Sequence, residues 1–352
     1  MIAKNMNNQP FVSIIIPCRN EGKFIVACIE SILENDYPKD RMEIFVIDGM
    51  STDHTRETVR RFVKRYPFIF LLDNQHKHTA AALNMGIKKS TGSVIMRLDA
   101  HTTYTAEYIS KCVYYLQKYN ADNVGGVIKT IPGSSTVIGK SIAIALAHSF
   151  GIGNSKFRTG IKNYREADTV PFGCFKREVF NNIGLFNKNL HRSQDMEFNL
   201  RLKKSGGKIL LFGDISANYY ADKTLLSFIK HNFQNGIWAT YPLKFTKQTL
   251  SARHYIPCLF VSAILLTLIL SMFSAVFKII LLIILALYFT LLIPTAVQIS
   301  VKQKKPVFIL TMPIIFSSLH ISYGLGSILG LIKILLDTWN QENNKNSSTM
   351  IS

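Results

Sequence analysis

The 352-residue chain is short of acidic side chains: 22 Asp and Glu stand against 41 Lys and Arg, a formal net charge of +19. Such a balance points to a polyanionic partner, whether nucleic acid, anionic lipid headgroups or a phosphorylated substrate. No aromatic-interleaved basic strand or recognition motif accompanies the charge, so nucleic acid is not expected. Cysteine is scarce and odd in number. Cys18, Cys28, Cys112, Cys174 and Cys258 are scattered with no pair at zinc-site spacing, which fits reduced thiols in a cytoplasmic setting. Residues 1–10 are polar and lack the basic-then-apolar pattern of a secretory leader. No Gly-x-Gly-x-x-Gly follows the first apolar run and no Gly-x4-Gly-Lys-Ser/Thr occurs anywhere. The dinucleotide and P-loop readings therefore lose their main phosphate-holding device. Charge almost vanishes between residues 256 and 335, apart from a few lysines.

What is present is an alternation of strands and helices. Phe11-Val12-Ser13-Ile14-Ile15-Ile16-Pro17 is continuously apolar, the pattern of a strand buried on both faces. A turn at Arg19-Asn20-Glu21-Gly22 leads to a helix with Phe24, Ile25, Ile29, Ile32 and Leu33 on its apolar side. A second strand, Glu43 to Ile47, ends at Asp48-Gly49, and Met50-Ser51-Thr52-Asp53 can cap a helix starting near His54. A strand over residues 68–72, a helix over 79–89 and a fourth strand reaching Asp99 follow. This spacing predicts an α/β fold with a mostly parallel, doubly wound sheet whose ligands bind at the strands' carboxyl ends. Pro17 to Glu21, Asp48 to Asp53 and Asp99 to His101 then share one rim.

Asp99 and His101 stand two residues apart, so on an extended backbone they face the same way. Either Asp99 caps the next helix beside a solvated His101, or the pair ligates a divalent cation, since carboxylate oxygen and neutral imidazole nitrogen are both good ligands. Without a phosphate-binding glycine loop, a cation that bridges phosphates is the remaining way to hold a nucleotide diphosphate. Further on, residues 105–119 read as a helix and 123–128 as a strand, and the 14 apolar residues 137–150 are too few for a span, so they are read as a buried or interfacial helix. Asp195 opens an amphipathic segment, either as a helix N-cap or as a carboxylate held ionised by a helix N-terminus and able to act as a base.

Residues 225–253 mix Phe228, Phe233, Trp238 and Tyr241 with Lys230, His231 and Lys244. The pattern fits an amphipathic helix at a membrane surface, or one packed on the preceding domain. Apolar runs at 256–276, 279–299 and 307–335 each reach the roughly 20 residues a transmembrane helix needs. In a three-span chain, Lys302, Lys304 and Lys305 share a side with Lys244, Lys247 and Arg253, and the positive-inside rule makes that side cytoplasmic. Residues 336–352 read as a polar tail, disordered from about 340.

Residues 11–240 resemble family 2 glycosyltransferases of the nucleotide-diphospho-sugar transferase (GT-A) fold, above all the membrane-bound succinoglycan-type glucosyltransferases of exopolysaccharide assembly. The resemblance is carried by Ser13-Ile14-Ile15-Ile16-Pro17-Cys18-Arg19-Asn20-Glu21, Asp48-Gly49-Met50-Ser51-Thr52-Asp53, Arg97-Leu98-Asp99-Ala100-His101, Phe172-Gly173-Cys174-Phe175-Lys176-Arg177, Gln194-Asp195-Met196-Glu197 and Phe233-Gln234-Asn235-Gly236-Ile237-Trp238. It implies a catalytic domain over 11–224, with Asp48 on the nucleotide base and Pro17, Arg19 and Glu21 lining base and ribose. It implies Asp99 on the diphosphate through Mn²⁺ or Mg²⁺, and Asp195 as the base for an inverting transfer. Gln234 and Trp238 fall on the acceptor side.

Three departures shape the expectation. His101 stands where the family's second Asp would be, and related transferases use such a His as a ligand, which favours Mn²⁺. Asn218-Tyr219-Tyr220 replaces a further His found in many relatives. Gln234-Asn235-Gly236-Ile237-Trp238 lacks the Arg of the processive Gln-x-x-Arg-Trp motif, so one sugar per encounter is expected. The implied reaction moves a sugar from a UDP-sugar to a lipid-linked oligosaccharide at the inner membrane, with the catalytic domain cytoplasmic and other polysaccharide-assembly enzymes as partners. Direct transfer to polyprenyl phosphate and a non-catalytic nucleotide-binding membrane scaffold are the alternatives.

Overall fold

A computed structural model of the protein describes residues 9–244 and 252–349. Residues 1–8 of the polar N-terminal segment, 245–251 of the expected interfacial region (Lys247 among them) and 350–352 of the expected tail lie outside the described residues. The strands are β1 (Val12–Cys18), β2 (Met42–Asp48), β3 (Ile69–Asp73), β4 (Val94–Arg97), β5 (Thr102–Tyr104), β6 (Asn123–Ile131), β7 (Tyr164–Glu166), β8 (Cys174–Lys176) and β9 (Ile209–Tyr220). The helices of the first part are α1 (Ile25–Leu33), α2 (Thr55–Arg65), α3 (Thr79–Lys89) and α4 (Tyr108–Lys118), then α5 (Val137–Ala147), α6 (Ser149–Ile152), α7 (Lys156–Thr159), α8 (Arg177–Ile183) and α9 (Gln194–Lys204). They are followed by α10 (Leu225–Thr240), α11 (Ile256–Leu270), α12 (Ala275–Gln303) and α13 (Phe308–Thr349). The chain divides into two units, one comprising residues up to Ile131 with Lys156–Tyr220, the other Pro132–Ser155 with the chain from Ala221 on.

The first unit is built on a nine-stranded sheet in the order β3-β2-β1-β4-β8-β6-β9-β5, with β7 also paired to β9. The expected parallel half is there, since β1 pairs in parallel with β2 and β4, and β2 with β3. The far half is mixed: β8 runs antiparallel to both β4 and β6, whereas β6 and β9 run parallel. Continuous apolar strands have two faces to bury, and here they do so alternately. Val12, Ile14, Ile44, Val46, Val94 and Met96 join one core with α1 and α4. Ile15, Phe45, Ile47 and Ile95 join the other, which holds Phe198 and Leu202 of α9. Strand alternation therefore turns Arg97, two residues after Ile95, toward the α9 side.

One boundary differs from expectation. β4 stops at Arg97, two residues before Asp99. The chain leaves the ladder there because the Asp99 amide donates to the Tyr104 hydroxyl (2.8 Å), which in turn donates to the Asp99 carbonyl (3.2 Å). Helix α9 is pinned to the sheet by a buried amide relay. Asn123 Nδ2 donates to Asn199 Oδ1 at 2.8 Å, and Asn199 Nδ2 donates to Thr169 Oγ1 at 2.8 Å.

In the second unit two helices, α12 and the Phe308–Thr338 part of α13, are long and apolar enough to cross a membrane. The first of the three expected runs differs in length. Residues 256–276 do not form one continuous helix; α11 has 15 residues and ends at Leu270. At 1.5 Å per residue it is about 22 Å long, short of a hydrocarbon core of about 30 Å. A turn of Ser271, Met272, Phe273 and Ser274 breaks it, and the Ser274 hydroxyl caps α12 by accepting from the Val276 amide. The expected disordered tail is instead helical as far as Thr349. Helix α10 packs backbone-close on α13: a Cβ on Gly236 would lie 2.0 Å from the Tyr323 carbonyl oxygen, and one on Gly326 would lie 2.0 Å from that of Phe233. Small residues allow such contact between apolar helices, which hydrophobic pairing alone would not select.

The Asn199 relay gives a direct test of what holds α9. Asn199→Leu leaves buried Asn123 and half-buried Thr169 without their partner and should lower the unfolding free energy by about 1–3 kcal/mol in chemical denaturation of the detergent-solubilised protein.

Candidate active site

The carboxyl ends of β1, β2 and β4 form one rim, and the loops that follow them are stitched together. Asn20 Oδ1 accepts from the Thr52 amide (2.8 Å), the Glu21 amide donates to Thr55 Oγ1 (2.8 Å), and Asp53 Oδ2 accepts from the Gly22 amide (3.0 Å). Asp53 Oδ1 also takes the amide of Thr55 at 3.0 Å, so the capping role read from the sequence falls to Asp53. Asn20, Met50 and Lys77, each just beyond a strand of the parallel half, and Ser193, just before α9, all have left-handed φ between 57° and 61°. Non-glycine residues adopt that region at a cost, and such strain gathers where loops are shaped for a ligand.

Asp48 is fully buried at the end of β2. Its oxygens accept from the Ser51 amide (2.9 Å), the Ser51 hydroxyl, Arg56 Nη1 (2.7 Å) and, weakly, Cys18 Sγ (3.9 Å). Arg56 spans on to Asp73 at 2.8 Å. In this conformation Asp48 offers no open lone pair, and contact with a nucleotide base requires one of these partners to leave. Pro17 is half-buried and Arg19 exposed on the same rim. Glu21 faces the central cluster, with its Oε1 3.3 Å from His101 Nδ1.

The centre is a pair of carboxylates on one guanidinium. Arg97 Nη2 lies 2.7 Å from Asp99 Oδ1 and its Nη1 lies 3.0 Å from Asp195 Oδ2. Arg97 is 12% exposed, and Asp195 keeps 30% of its side-chain surface open although its Oδ1 is itself buried and unpaired. Burial pushes the Asp195 carboxyl up from the usual aspartate range; the Arg97 guanidinium pulls it back down, Asp99 adds to the rise, and the net shift is upward. Burial lowers His101, but its hydrogen bond to Glu21 and the nearby Asp99 carboxylate outweigh that and raise it. The Asp99 carbonyl also accepts from Cys28 Sγ (3.4 Å), which with Tyr104 fixes the turn. The His101 ring meets Tyr219 edge-on at 5.6 Å, and the Arg158 guanidinium lies 4.9 Å from the Tyr219 ring centre, with its Nη1 buried and unpaired.

Asp99, His101, Glu21 and Asp195 thus come together. Gln234, exposed, and Trp238, half-buried with its ring 5.5 Å from Tyr241, are on α10 in the second unit. Sequence reading assigned no role to Arg97 or Arg56. The signal for Arg97 was present, because Arg97, Asp99 and His101 share one two-residue period.

The sequence profile of Glycosyl transferase family 2 matches residues 13–184. The succinoglycan biosynthesis protein ExoA of Rhizobium meliloti is 31% identical over 247 residues, covering 65% of this chain and 74% of that protein. The chain belongs to glycosyltransferase family 2. This glycosyltransferase is also 28% identical, over 92% of its length and 98% of the relative's, to a Methanococcus voltae protein named dolichyl N-acetyl-alpha-D-glucosaminyl phosphate 3-beta-D-2,3-diacetamido-2,3-dideoxy-beta-D-glucuronosyltransferase. Among solved structures, a mannosyltransferase from Pyrobaculum calidifontis in complex with GDP-Man and Mn²⁺ superimposes with a TM-score of 0.62 at 17% identity, covering 93% of this chain and 89% of that one. That likeness is one of fold, and the fold is GT-A.

Because Asp195 titrates above an ordinary aspartate, a base at this position loses function on the acid side sooner than usual. The acid limb of kcat/KM against pH should fall above the usual aspartate range of roughly 4. The limb should be absent from the residual activity of Asp195→Asn.

Proposed function

We propose that this family 2 glycosyltransferase transfers a sugar, with inversion, from a nucleotide-diphospho-sugar, specifically a UDP-sugar, to a membrane-held lipid-linked glycan. The observation that carries the proposal is the convergence of Asp99 and Asp195 on Arg97, which turns a donor-side and an acceptor-side carboxylate toward a common space. Asp195, whose Oδ1 has no partner, removes the proton of the acceptor hydroxyl. The hydroxyl oxygen then bonds to the anomeric carbon from the face opposite the diphosphate, the bond to the diphosphate oxygen breaks, and its electron pair leaves with the nucleotide. A single base and no enzyme nucleophile suffice, which is the requirement for inversion.

The donor set suits a cation brought in with the donor. Among the described residues no group of three His, Cys, Asp or Glu is placed to hold a metal. Asp99 and His101 are two ligands of types that Mn²⁺ or Mg²⁺ accept, leaving further positions to phosphate oxygens and water. A cation held there would neutralise the departing diphosphate. Glu21 holds His101 through Nδ1, which orients the ring and leaves Nε2 for a ligand. Pro17, Arg19 and Asp48 line the nucleotide side, Asp48 after releasing Ser51 or Arg56.

The acceptor class is supported by the Methanococcus voltae relative, whose name specifies a dolichyl-phosphate-linked sugar and nearly all of whose length this chain matches. The relative in succinoglycan biosynthesis supports a place in polysaccharide assembly beside other enzymes of that process. Manganese is supported by the Pyrobaculum calidifontis structure, which holds Mn²⁺, and by the nitrogen donor that His101 adds to the ligand pair. Localisation is multi-pass in the inner membrane. Lys302 in the last turn of α12, with Lys304 and Lys305 between α12 and α13, defines a cytoplasmic turn by the positive-inside rule. A cytoplasmic catalytic unit then requires α11 to cross as well, its short helix extended by Met272 and Phe273, which are 81% and 82% exposed.

Two experiments test this. In a donor panel of UDP-Glc, UDP-Gal, UDP-GlcNAc and GDP-Man with and without Mn²⁺, transfer should need the metal and favour a UDP-sugar; Asp195→Asn should bind donor but transfer at least about a hundredfold more slowly, and Asp99→Ala should lose both. Metal-independent transfer, or near-normal turnover by Asp195→Asn, contradicts the assignment. For topology, a thiol introduced as Lys304→Cys should react with impermeant reagents only after the membrane is opened, and one introduced as Ser274→Cys should react from outside.

A further inference from the structure

Arg97 is more than a neighbour of the reacting groups. We propose that it is a positioning residue that couples the acceptor-side base to the donor-side metal position, aligning Asp195 with one nitrogen while its other nitrogen holds Asp99 until a divalent cation takes that carboxylate over. The inference rests on the transferase reading above and deepens its site.

Three observations support it. The guanidinium is split between the two carboxylates, Nη1 to Asp195 and Nη2 to Asp99, and Nε is buried without a partner. Its charge is therefore shared by this pair. The stem is rigid, since Arg97 pairs with Ile15 in the ladder and its amide donates to the Gly173 carbonyl at 3.0 Å. Arg97 forms an ion pair with Asp195 Oδ2, which ties the position of that carboxylate to the guanidinium.

A dication on Asp99 competes with Nη2 for the same oxygen. When it binds, Arg97 is left with Asp195, so loading the donor side strengthens the hold on the base. By linkage the effect is reciprocal, and Arg97 weakens cation binding while no donor is present. Removing the guanidinium should therefore tighten the metal site while impairing the chemistry. A purely structural arginine would, when lost, weaken both.

The test uses the full-length protein in detergent, with free Mn²⁺ followed by electron paramagnetic resonance in the absence of donor, alongside transfer kinetics. Arg97→Gln should bind Mn²⁺ about tenfold more tightly than wild type. Its kcat should fall roughly a hundredfold from misplacement of the base, with donor KM changed less than about threefold. Arg97→Lys keeps a positive charge but cannot fork between two carboxylates. It should hold Mn²⁺ affinity within about threefold of wild type and still lose at least about tenfold in kcat. Equal or weaker Mn²⁺ binding by folded Arg97→Gln overturns the inference. So does wild-type kcat in Arg97→Lys, which decides the matter if the Gln variant does not fold. Absence of transfer and of Mn²⁺ binding in the wild type would instead overturn the transferase reading itself, which keeps the two failures apart.

Discussion

The arrangement of charges around Arg97 constrains the rest of the catalytic unit. A guanidinium that is nearly buried must be paired, because an isolated charge at low dielectric is costly. Here the pairing is with two carboxylates that lie 96 residues apart in sequence, Asp99 after β4 and Asp195 at the start of α9. Everything that fixes those two elements serves this contact. β4 sits between β1 and β8, the Tyr104 hydroxyl closes the turn at Asp99, and Asn123 with Thr169 holds α9 through Asn199.

The site also shows how a polar cluster is kept ready without a ligand. Asp99, His101 and Asp48 each have protein partners, namely Arg97, Glu21, and Ser51 with Arg56. Satisfied charges of this kind need no water or ion to stay folded, and the proposed donor binding would exchange them. Asp195 differs, because one of its oxygens is buried without a hydrogen-bond partner, which suits the proposed role of base. Left-handed backbone at Asn20, Met50, Lys77 and Ser193 marks the loops that carry these groups, where packing of the sheet below sustains the strain.

The second unit follows other rules. Its helices present apolar side chains such as Leu265, Leu287 and Leu310 to their surroundings, and the contact between α10 and α13 is made by glycine against backbone. In lipid, where apolar surface gains nothing by meeting apolar surface, close approach of this kind is what joins helices. The short α11 and its exposed Met272-Phe273 turn form part of the same apolar surface.

Much of this was legible in the chain itself. Continuous apolar strands fixed the parallel half of the sheet, the two-residue period placed Asp99 beside His101, and the motifs from Ser13 to Trp238 identified the family, because these are local patterns with local causes. Three things were decided only by tertiary structure. The bond from Arg97 to Asp195 joins segments whose approach depends on how α9 docks, which no spacing encodes. The closure of Asp48 by Arg56 depends on the angle between β2 and α2. The length of α11 depends on where Ser271 and Ser274 find backbone partners, whereas hydropathy read only an unbroken apolar run. Residue type determines what a position can do; which partner it meets is a property of the packed chain.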